Sequence, residues 1–388
     1  MRFVRLLVAS VATVAFALVP TLTTAPANSA PYWPASAGDS SYATPAGLAG
    51  ARPGQVLKYR PMPSPFPGST AAKVMFRSTN SQGRPIAGVT TVFTPVGGAR
   101  HSLLSYQPFT NALGLQCAPS RQLFAGGLQE NPLIQTMLAG GHAVNVPDHL
   151  GPTSAYGAAR LGGVLTLDSI RAAQDEPRLR VGRGVRTALA GYSGGAMASA
   201  FAAVLAPRFG RGLNLVGLSA GGTPMNIESI ARSLGGTPNP LFGLGFAAAM
   251  GLEREYPQQL PLSTQLNAQG RGLAARIRNA CTQQIIDAGA NKRVADVVPG
   301  GQFAETRAGL GALRQNSVQD YPGAPPMPVL LYQGSGDQLT PTSTVEAVAA
   351  TWRRRGTPVQ TVAIPGDHGS TIVTGIPIAI GFLNARLG

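Results

Sequence analysis

Short apolar segments alternate with stretches of helical periodicity from about residue 101 to residue 220. The apolar segments are rich in Val, Leu and Ala, which is typical of strands that are buried on both faces of a sheet. The predicted strands cover residues 102–106, 143–146, 186–190 and 213–219, and the predicted helices cover residues 131–139, 161–174 and 196–205. This alternation predicts a mostly parallel central sheet with helices on both faces.

Three predicted strands precede the alternating region, at residues 54–60, 72–78 and 87–95, and residues 89–93 of the last are all β-branched or aromatic. Residues 83–85, with the sequence Gly-Arg-Pro, separate the last two segments and favour a turn between them. The three segments therefore predict an antiparallel start to the sheet.

The alternation stops at about residue 225 and resumes at about residue 319. Between these points no convincing strand is found, and apolar positions at helical spacing predict helices over residues 225–233, 241–252 and 262–288. Further on, strands are predicted at residues 329–333 and 359–364, and helices at residues 342–354 and 370–387. We therefore predict an α/β core over residues 51–224 and 319–388, with an inserted all-helical cap over residues 225–318.

The first 27 residues have the three parts of a secretory signal peptide. Two arginines supply the positive charge, residues 6–19 are apolar, and residues 25–27 are small enough to precede a cleavage site. An uncleaved anchor is the alternative, but it would need a longer apolar stretch. We expect a secreted protein, either extracellular or associated with the cell envelope, in which residues 28–50 form a flexible mature N-terminus.

The chain carries a formal net charge of +15, most of it from arginine. No stripe of basic and aromatic residues indicates nucleic-acid binding. A positive surface attracts anionic lipids or envelope polymers. Because the arginines are scattered along the sequence, we favour a compositional bias without a specific partner. Nothing in the sequence indicates an obligatory protein partner.

Cys117 and Cys281 are the only two cysteines. In an exported protein, an even number of cysteines favours a disulfide. Closing a loop of this length would stabilise the fold by about 4–5 kcal/mol in the chain-entropy model. Two buried free thiols are the alternative, and the spacing is not that of metal ligands.

The segment Gly191-Tyr192-Ser193-Gly194-Gly195 joins a predicted strand to a predicted helix. A serine between glycines at such a junction is the sequence form of a nucleophile elbow. The glycines allow a strained turn that presents the hydroxyl of Ser193, and the amide of Gly194 can face a developing oxyanion. An ordinary glycine-rich turn is the alternative, because Gly and Ser are abundant in this chain.

A nucleophilic serine needs a base and an orienting acid, which in α/β-hydrolases follow it in the order acid, then His. His368 is the only histidine after the elbow, and it directly follows a predicted strand. Asp337 follows the preceding predicted strand and is the predicted acid. Asp367 is a rival, but it adjoins the base and is badly placed to reach the same imidazole. Asp320 precedes the strand and is disfavoured.

A second oxyanion donor is expected on the loop after the strand at residues 102–106, where Asn111 is our candidate. The alternative is that Asn111 only shapes a turn. Asp148 and His149 precede the elbow, which is the wrong order for a triad, so we assign them a structural role.

One cap segment is apolar on nearly all faces, which indicates either an acyl-chain tunnel or lid, or the core of the cap itself. Its candidate substrate-binding residues are Leu241, Phe242, Leu244 and Phe246.

These stretches together resemble the secretory lipase family, of the lipase A type, within the α/β-hydrolase superfamily. The resemblance runs from about residue 50 to the C-terminus. It rests on residues 147–151, 167–172, 191–196, 221–224, 337 with 341, and 367–368. It implies an α/β-hydrolase fold with Ser193 as nucleophile, Asp337 as acid and His368 as base. It also implies oxyanion amides at Gly194 and near Asn111, where the family has an Asp, and a disulfide that matches Cys117 and Cys281.

We therefore expect a secreted serine lipase or carboxylesterase. It would hydrolyse acylglycerols or related carboxylic esters through an acyl-enzyme, without a cofactor or a metal, and with contact to a lipid interface. An acyltransferase that acts on envelope lipids or sugars would use the same residues. A non-catalytic acyl-chain carrier would use only the apolar cap, and the complete set of serine, acid and histidine argues against it.

Overall fold

One nine-stranded sheet organises the computed structural model, within the residues that it describes: 30–36, 38, 42–99, 102–301 and 303–388. The strands are β1 (Val56–Met62), β2 (Ser69–Thr79), β3 (Pro85–Pro95), β4 (Ser102–Gln107), β5 (Ala143–Pro147), β6 (Arg186–Tyr192), β7 (Leu215–Gly221), β8 (Val329–Gly334) and β9 (Val359–Ile364). Their order across the sheet is β1-β2-β3-β5-β4-β6-β7-β8-β9.

The sheet changes from antiparallel to parallel at β5. Strands β1, β2 and β3 pair antiparallel, as do β3 and β5. Across the sheet from β5 to β9, each neighbouring pair is parallel. The expected mostly parallel sheet with an antiparallel start is confirmed. Because parallel strands end at the same edge, the loops that follow β6, β8 and β9 meet there.

Helices cover both faces of the sheet. The core helices are α1 (Pro119–Ala125), α2 (Asn131–Ala139), α3 (Ala159–Asp175), α4 (Gly194–Phe209), α12 (Thr342–Arg354), α13 (Thr371–Thr374) and α14 (Ile376–Leu387). Apolar side chains of α3, α4 and α12 form one buried cluster with the sheet, and those of α1, α2 and α14 form another. The two clusters are the two halves of a layered α/β core.

Between β7 and β8 the described chain forms a series of helices, and we refer to residues 225–318 as the cap. These helices are α5 (Ile227–Gly235), α6 (Phe242–Glu255), α7 (Leu262–Gln265), α8 (Ala268–Ile277), α9 (Thr282–Gly289), α10 (Val294–Val297) and α11 (Arg307–Gln315). The apolar side chains of α6, α8 and α9 form a buried cluster of their own, which also takes in Leu113 from the core.

Two helices predicted from periodicity are shorter in the structure. The helix expected over residues 262–288 is three helices, because Asn267 caps α8 and a capping box at Cys281 starts α9. The helix expected over residues 370–387 is interrupted at Gly375. Apolar periodicity continues through such breaks, since caps satisfy backbone amides and do not change which face is apolar.

The described part of the N-terminal segment is hydrogen-bonded to the cap. The carbonyl of Tyr32 accepts from the guanidinium of Arg254 at 2.7 Å. Residues 28–50 were expected to form a flexible segment, and this hydrogen bond to the cap was not predicted.

The expected signal peptide, residues 1–27, lies outside the described residues. Among those that are described, no helix combines the length and the apolar character needed to cross a bilayer.

A disulfide joins Cys117 to Cys281, whose Cα atoms are 5.6 Å apart, and the expected bond is confirmed. Cys117 lies on the loop that follows β4, and Cys281 immediately precedes α9 of the cap. The disulfide therefore ties the cap to that loop.

Candidate active site

A strained turn carries Ser193 from β6 into α4. Ser193 has a φ of 49° and a ψ of −121°, a backbone conformation that residues with side chains rarely adopt. A Cβ at Gly191 or Gly195 would overlap the carbonyl of Gln107, so both positions require glycine. The amide of Ser193 donates to the carbonyl of Gly221 on β7 at 2.8 Å. The surroundings therefore hold the turn in the one shape that exposes the hydroxyl.

Ser193, His368 and Asp337 form one hydrogen-bonded chain. Oγ of Ser193 lies 2.8 Å from Nε2 of His368, and Nδ1 of the same imidazole lies 2.6 Å from Oδ2 of Asp337. Asp337 follows β8 and His368 follows β9, so the parallel strands deliver all three side chains to one edge. The side chain of Asp337 is fully enclosed, whereas that of His368 is 17% exposed. Only the imidazole and the serine are thus accessible to a ligand.

The loop after β8 holds the carboxylate of Asp337. Oδ1 accepts from the amides of Leu339 and Thr340 at 2.9 Å each, and Oδ2 accepts from the hydroxyl of Thr340 at 2.8 Å. Burial raises the pKa of this carboxyl, but the hydrogen bonds from His368 and Thr340 outweigh burial and hold the pKa below its usual value. Asp337 is therefore ionised at neutral pH and can keep a proton on Nδ1 of His368.

Tyr192 fixes the backbone of His368. Its hydroxyl donates to the carbonyl of His368 at 2.6 Å, and the centres of the two rings are 5.4 Å apart. The contact of Tyr192 was not expected from the sequence, since the elbow motif does not indicate what this side chain touches.

The carboxylate of the rival acid, Asp367, is hydrogen-bonded to Ser370. Its Oδ1 accepts from the amide and the hydroxyl of Ser370 at 2.8 Å each.

The loop after β4 brings Asn111 next to the elbow. Oδ1 of Asn111 lies 2.8 Å from the position that a Cβ on Gly194 would occupy, and both residues line the same cavity as Ser193. Within the described part of the chain, this buried oxygen has no hydrogen-bond partner. The carboxamide of Asn111 is thus present at the place where the second oxyanion donor was expected.

A buried glutamate holds the start of the same loop. Oε1 of Glu130 accepts from the amide of Phe109 at 2.9 Å, two residues before Asn111. Glu130 is 1% exposed, and its burial raises its pKa to about 7. Its protonation state therefore changes near neutral pH, directly beneath the loop that carries Asn111.

An apolar cavity leads from Ser193 into the cap and is open at its mouth; the cavity and the open space at the mouth together occupy about 1010 Å³. Most of its wall comes from α5, α6 and α10. The side chains of these helices that face it include Ile230, Leu234, Phe242, Leu244, Phe246 and Val297. Leu241 was expected to belong to this wall, but it precedes α6 and packs, half-buried, on the cluster inside the cap. A segment that is apolar on all faces does not reveal which of its residues turn towards a cavity.

Asp148 and His149 are buried in the core, where Asp148 has partners of its own. Asp148 accepts from the amide and the hydroxyl of Ser120 at 2.7 Å each, and from the hydroxyl of Tyr42. Burial lowers the pKa of His149 to about 4, so its imidazole is neutral at neutral pH.

In the described part of the chain, no three His, Cys, Asp or Glu side chains are grouped closely enough to hold a metal ion.

Comparison with known proteins identifies the family. Residues 127–388 match the profile of the family described as Secretory lipase. A secreted triacylglycerol lipase of Malassezia globosa is 30% identical over 371 residues, which cover 90% of this chain and 78% of the relative. The chain belongs to the secretory lipase family.

Structural comparison agrees with this assignment. The solved structure of Candida antarctica lipase A in its closed state matches with a TM-score of 0.85 at 26% identity, covering 90% of this chain and 86% of that chain. A second relative found by sequence, a probable trichothecene esterase of Stachybotrys chartarum, is 28% identical over 89% of this chain and 75% of the relative. The expected family, the α/β-hydrolase fold and the activity of a secreted lipase or esterase, which hydrolyses carboxylic esters, are confirmed.

Three further residues of this secretory lipase line the cavity together with Ser193 and were not expected from the sequence: Tyr156, Met197 and Leu339. Met197 lies one helical turn after Ser193, and its amide donates to the carbonyl of Ser193 at 3.0 Å. Helical spacing from the elbow could therefore have found Met197. Tyr156 and Leu339 lie on loops, where no periodic signal indicates which way a side chain points.

Proposed function

We propose that Ser193 is the nucleophile of this lipase, that His368 is its general base and acid, and that Asp337 orients the imidazole. The observation that carries the proposal is the unbroken hydrogen-bonded chain from Oγ of Ser193 to Oδ2 of Asp337, beside the apolar cavity. A base that touches both the nucleophile and a buried carboxylate is the arrangement that acyl transfer requires.

The reaction proceeds through an acyl-enzyme. Oγ of Ser193 attacks the ester carbonyl carbon as its proton moves to Nε2 of His368. The amide of Gly194, at the N-terminus of α4, and a donor of Asn111 stabilise the charge on the carbonyl oxygen. The imidazolium then gives its proton to the departing alcohol. Water attacks the acyl carbon, His368 takes its proton, and the acid leaves as Ser193 recovers its hydrogen.

The substrates that we propose are acylglycerols or related esters with an apolar acyl chain. The wall of the cavity is almost wholly apolar and comes mainly from the cap, so the core would supply the reaction and the cap the selection of the chain. Burial of each methylene group contributes about 0.8 kcal/mol, so kcat/KM should rise with acyl length until the cavity is full. The Malassezia relative is named a triacylglycerol lipase, which agrees with this substrate class.

The route of secretion that we propose is cleavage of a signal peptide after Ala27. Its support is the arrangement of charge, apolar stretch and small residues in residues 1–27, together with relatives that are named as secreted. N-terminal sequencing of the secreted protein should then begin at Asn28. A protein that retains its first residues would contradict this.

The decisive experiment compares Ser193→Ala with Ser233→Ala, which alters an exposed serine on the cap. We expect Ser193→Ala to lose hydrolysis of a short soluble ester and labelling by a fluorophosphonate, and Ser233→Ala to keep both. Removing the nucleophile of a triad costs about 10⁶-fold in kcat. Ester hydrolysis that survives in Ser193→Ala would sink the assignment. Rates on esters of graded acyl length then test the role of the cavity.

A further inference from the structure

Ten arginines lie along the edge of the core at which β6, β7, β8 and β9 begin. We call this surface the basic edge. It consists of Arg178, Arg180, Arg183, Arg186, Arg208, Arg211, Arg353, Arg354, Arg355 and Arg386. All are exposed except Arg386, which is half-buried. They come from four separate parts of the chain, so the sequence shows them only as scattered.

The topology brings these parts together. Strand β6 begins with Arg186, α4 and α12 end next to Arg208 and Arg353, and α14 ends next to Arg386. In a parallel α/β layer, strands begin and helices end at the same edge. Direct contacts confirm the proximity of two of the parts, since Nε of Arg186 donates to the carbonyl of Arg386 at 3.0 Å.

The basic edge lies opposite the active site. Ser193 follows the last residue of β6, and Arg186 is the first, so the seven residues of the strand separate them by about 20 Å. Helix α4 leads away from Ser193 over 16 residues, which places Arg208 about 20 Å from the elbow. A ligand at the basic edge therefore leaves the mouth of the cavity free.

The charge of the basic edge is mostly uncompensated. Three of the ten arginines form ion pairs within the described chain, with Glu176, Asp175 and Glu346. The cap, by contrast, has nine basic and six acidic residues in its whole sequence and is close to balance. The ten arginines and their three acidic partners carry a net charge of +7, whereas the cap carries +3. The basic edge thus carries more than twice the net charge of the cap.

We propose that the basic edge binds the surface of an anionic phospholipid bilayer through headgroup phosphates, with the active site facing away from that bilayer. The planar guanidinium fork matches phosphate oxygens in a bidentate manner. The surface is broad, since four adjacent strands span about 15 Å and the arginines continue onto helices on both faces. Such breadth suits a plane of headgroups better than a single polymer strand. The bilayer that holds the protein would then not be the source of the ester that it hydrolyses.

The test uses full-length mature Ser193→Ala, so that no lipid is hydrolysed, and measures its partition onto vesicles. The probes are vesicles of phosphatidylcholine alone and of an equimolar mixture with phosphatidylglycerol. We expect binding to the mixed vesicles only, weakened by salt as screening shortens the range of the attraction. Replacing Arg353, Arg354 and Arg355 together by Gln should weaken partition by roughly 100-fold, at about 1 kcal/mol for each arginine near the surface.

The matched control replaces Arg271, Arg276 and Arg307 of the cap by Gln, which removes the same charge from exposed positions elsewhere. We expect this variant to bind like the parent. If folding of the first variant is impaired, as its melting temperature would show, Arg208→Gln with Arg211→Gln serves in its place. Equal weakening by the control, or binding to phosphatidylcholine alone, would overturn the proposal.

Two further arms distinguish the occupant and the orientation. Soluble polyphosphate is the polymer probe. Tight binding to polyphosphate without binding to mixed vesicles would show that the basic edge binds a polymer and not a bilayer.

The orientation is tested with wild-type protein on mixed vesicles and a water-soluble fluorophosphonate. We expect Ser193 to be labelled as fast as in solution, because its edge faces the water. Labelling that is blocked on vesicles would contradict the orientation, whether or not the lipase mechanism is correct.

Discussion

Replacing Arg254 by Met would remove a buried cation on which four segments of the chain converge. Arg254 lies at the end of α6 in the cap and is 4% exposed. Its guanidinium makes six hydrogen bonds, to the carbonyls of Tyr32, Leu113, Thr153, Ser154 and Arg278. These carbonyls belong to the N-terminal segment, the loop of Asn111, the loop before α3, and the cap. Burial lowers its pKa to about 10, so Arg254 remains charged at neutral pH.

The magnitude follows from what the substitution leaves behind. Leaving a buried carbonyl without its donor costs about 1–3 kcal/mol, so the loss of several donors at once should cost at least about 3–5 kcal/mol. For a chain of this length, the entropy of unfolding is about 0.8 kcal/mol per degree, so the melting temperature should fall by about 4–6 °C. Leu113 lies two residues after Asn111. A shift of about 1 Å in a loop that positions an oxyanion donor, the role proposed for Asn111, costs on the order of 100-fold in rate, so kcat/KM should fall by a similar factor.

The assay measures the melting temperature and kcat/KM on a short soluble ester, for which the apolar cavity matters little. The control is Arg278→Met, because the side chain of Arg278 is exposed and its carbonyl would remain in place. We expect the control to behave like the wild type. A lower melting temperature with unchanged kcat/KM would refute the claim that Arg254 positions the loop, and an unchanged melting temperature would refute the estimate from burial.

Three smaller changes test other parts of the site. Tyr192→Phe removes the hydrogen bond to the carbonyl of His368, and should lower kcat by roughly 5-fold, for about 1 kcal/mol of misplacement, with KM unchanged. Unchanged kcat would show that the loop holds itself. Gly245→Leu narrows the cavity beside Leu234, so kcat/KM should fall for long acyl chains and not for acetate esters. Equal loss on both would refute this. Burial raises the pKa of Glu130, so its carboxyl keeps a proton to a higher pH in the folded chain than in the unfolded chain. The free energy of unfolding should therefore fall by up to about 3 kcal/mol as the pH rises from about 4.5 to about 7. Glu130→Gln should remove this pH dependence from the free energy measured by urea unfolding. A slope that persists in the variant would exclude Glu130 as its source.

The hydrogen-bonded arrangement of the candidate site was predictable from the sequence where a local signal and the topology coincide. Ser193 could be found because the turn that presents it accepts only glycine at residues 191 and 195, and both glycines lie within two positions of it in the chain. Asp337 and His368 could be found because each follows a predicted strand, and parallel strands end at a common edge. In these cases a local pattern specifies both the residue and its place in space.

The supports of the site could not be predicted, because their partners lie far away in the sequence. Arg254 stands between two glutamates at the end of a helix, a pattern typical of a solvated surface, and its bond to Tyr32 spans 222 residues. Glu130 likewise precedes a helix like an ordinary surface residue. Only the packing of the cap and the loop shows that both side chains are buried, and no periodicity in the sequence encodes that packing.

Arg254 and the Cys117–Cys281 disulfide connect the same two parts of the molecule but act on different states. The disulfide restricts the unfolded chain, and for a closed loop of 164 residues this amounts to about 5 kcal/mol. Arg254 acts only in the folded chain. If each works alone, replacing both cysteines by Ser should lower stability and leave kcat/KM nearly unchanged, and its effect should add to that of Arg254→Met. A coupling energy above about 1 kcal/mol in the double-mutant cycle would instead mean that the disulfide brings the loop to Arg254. The loop of Asn111 would then be positioned by the two jointly.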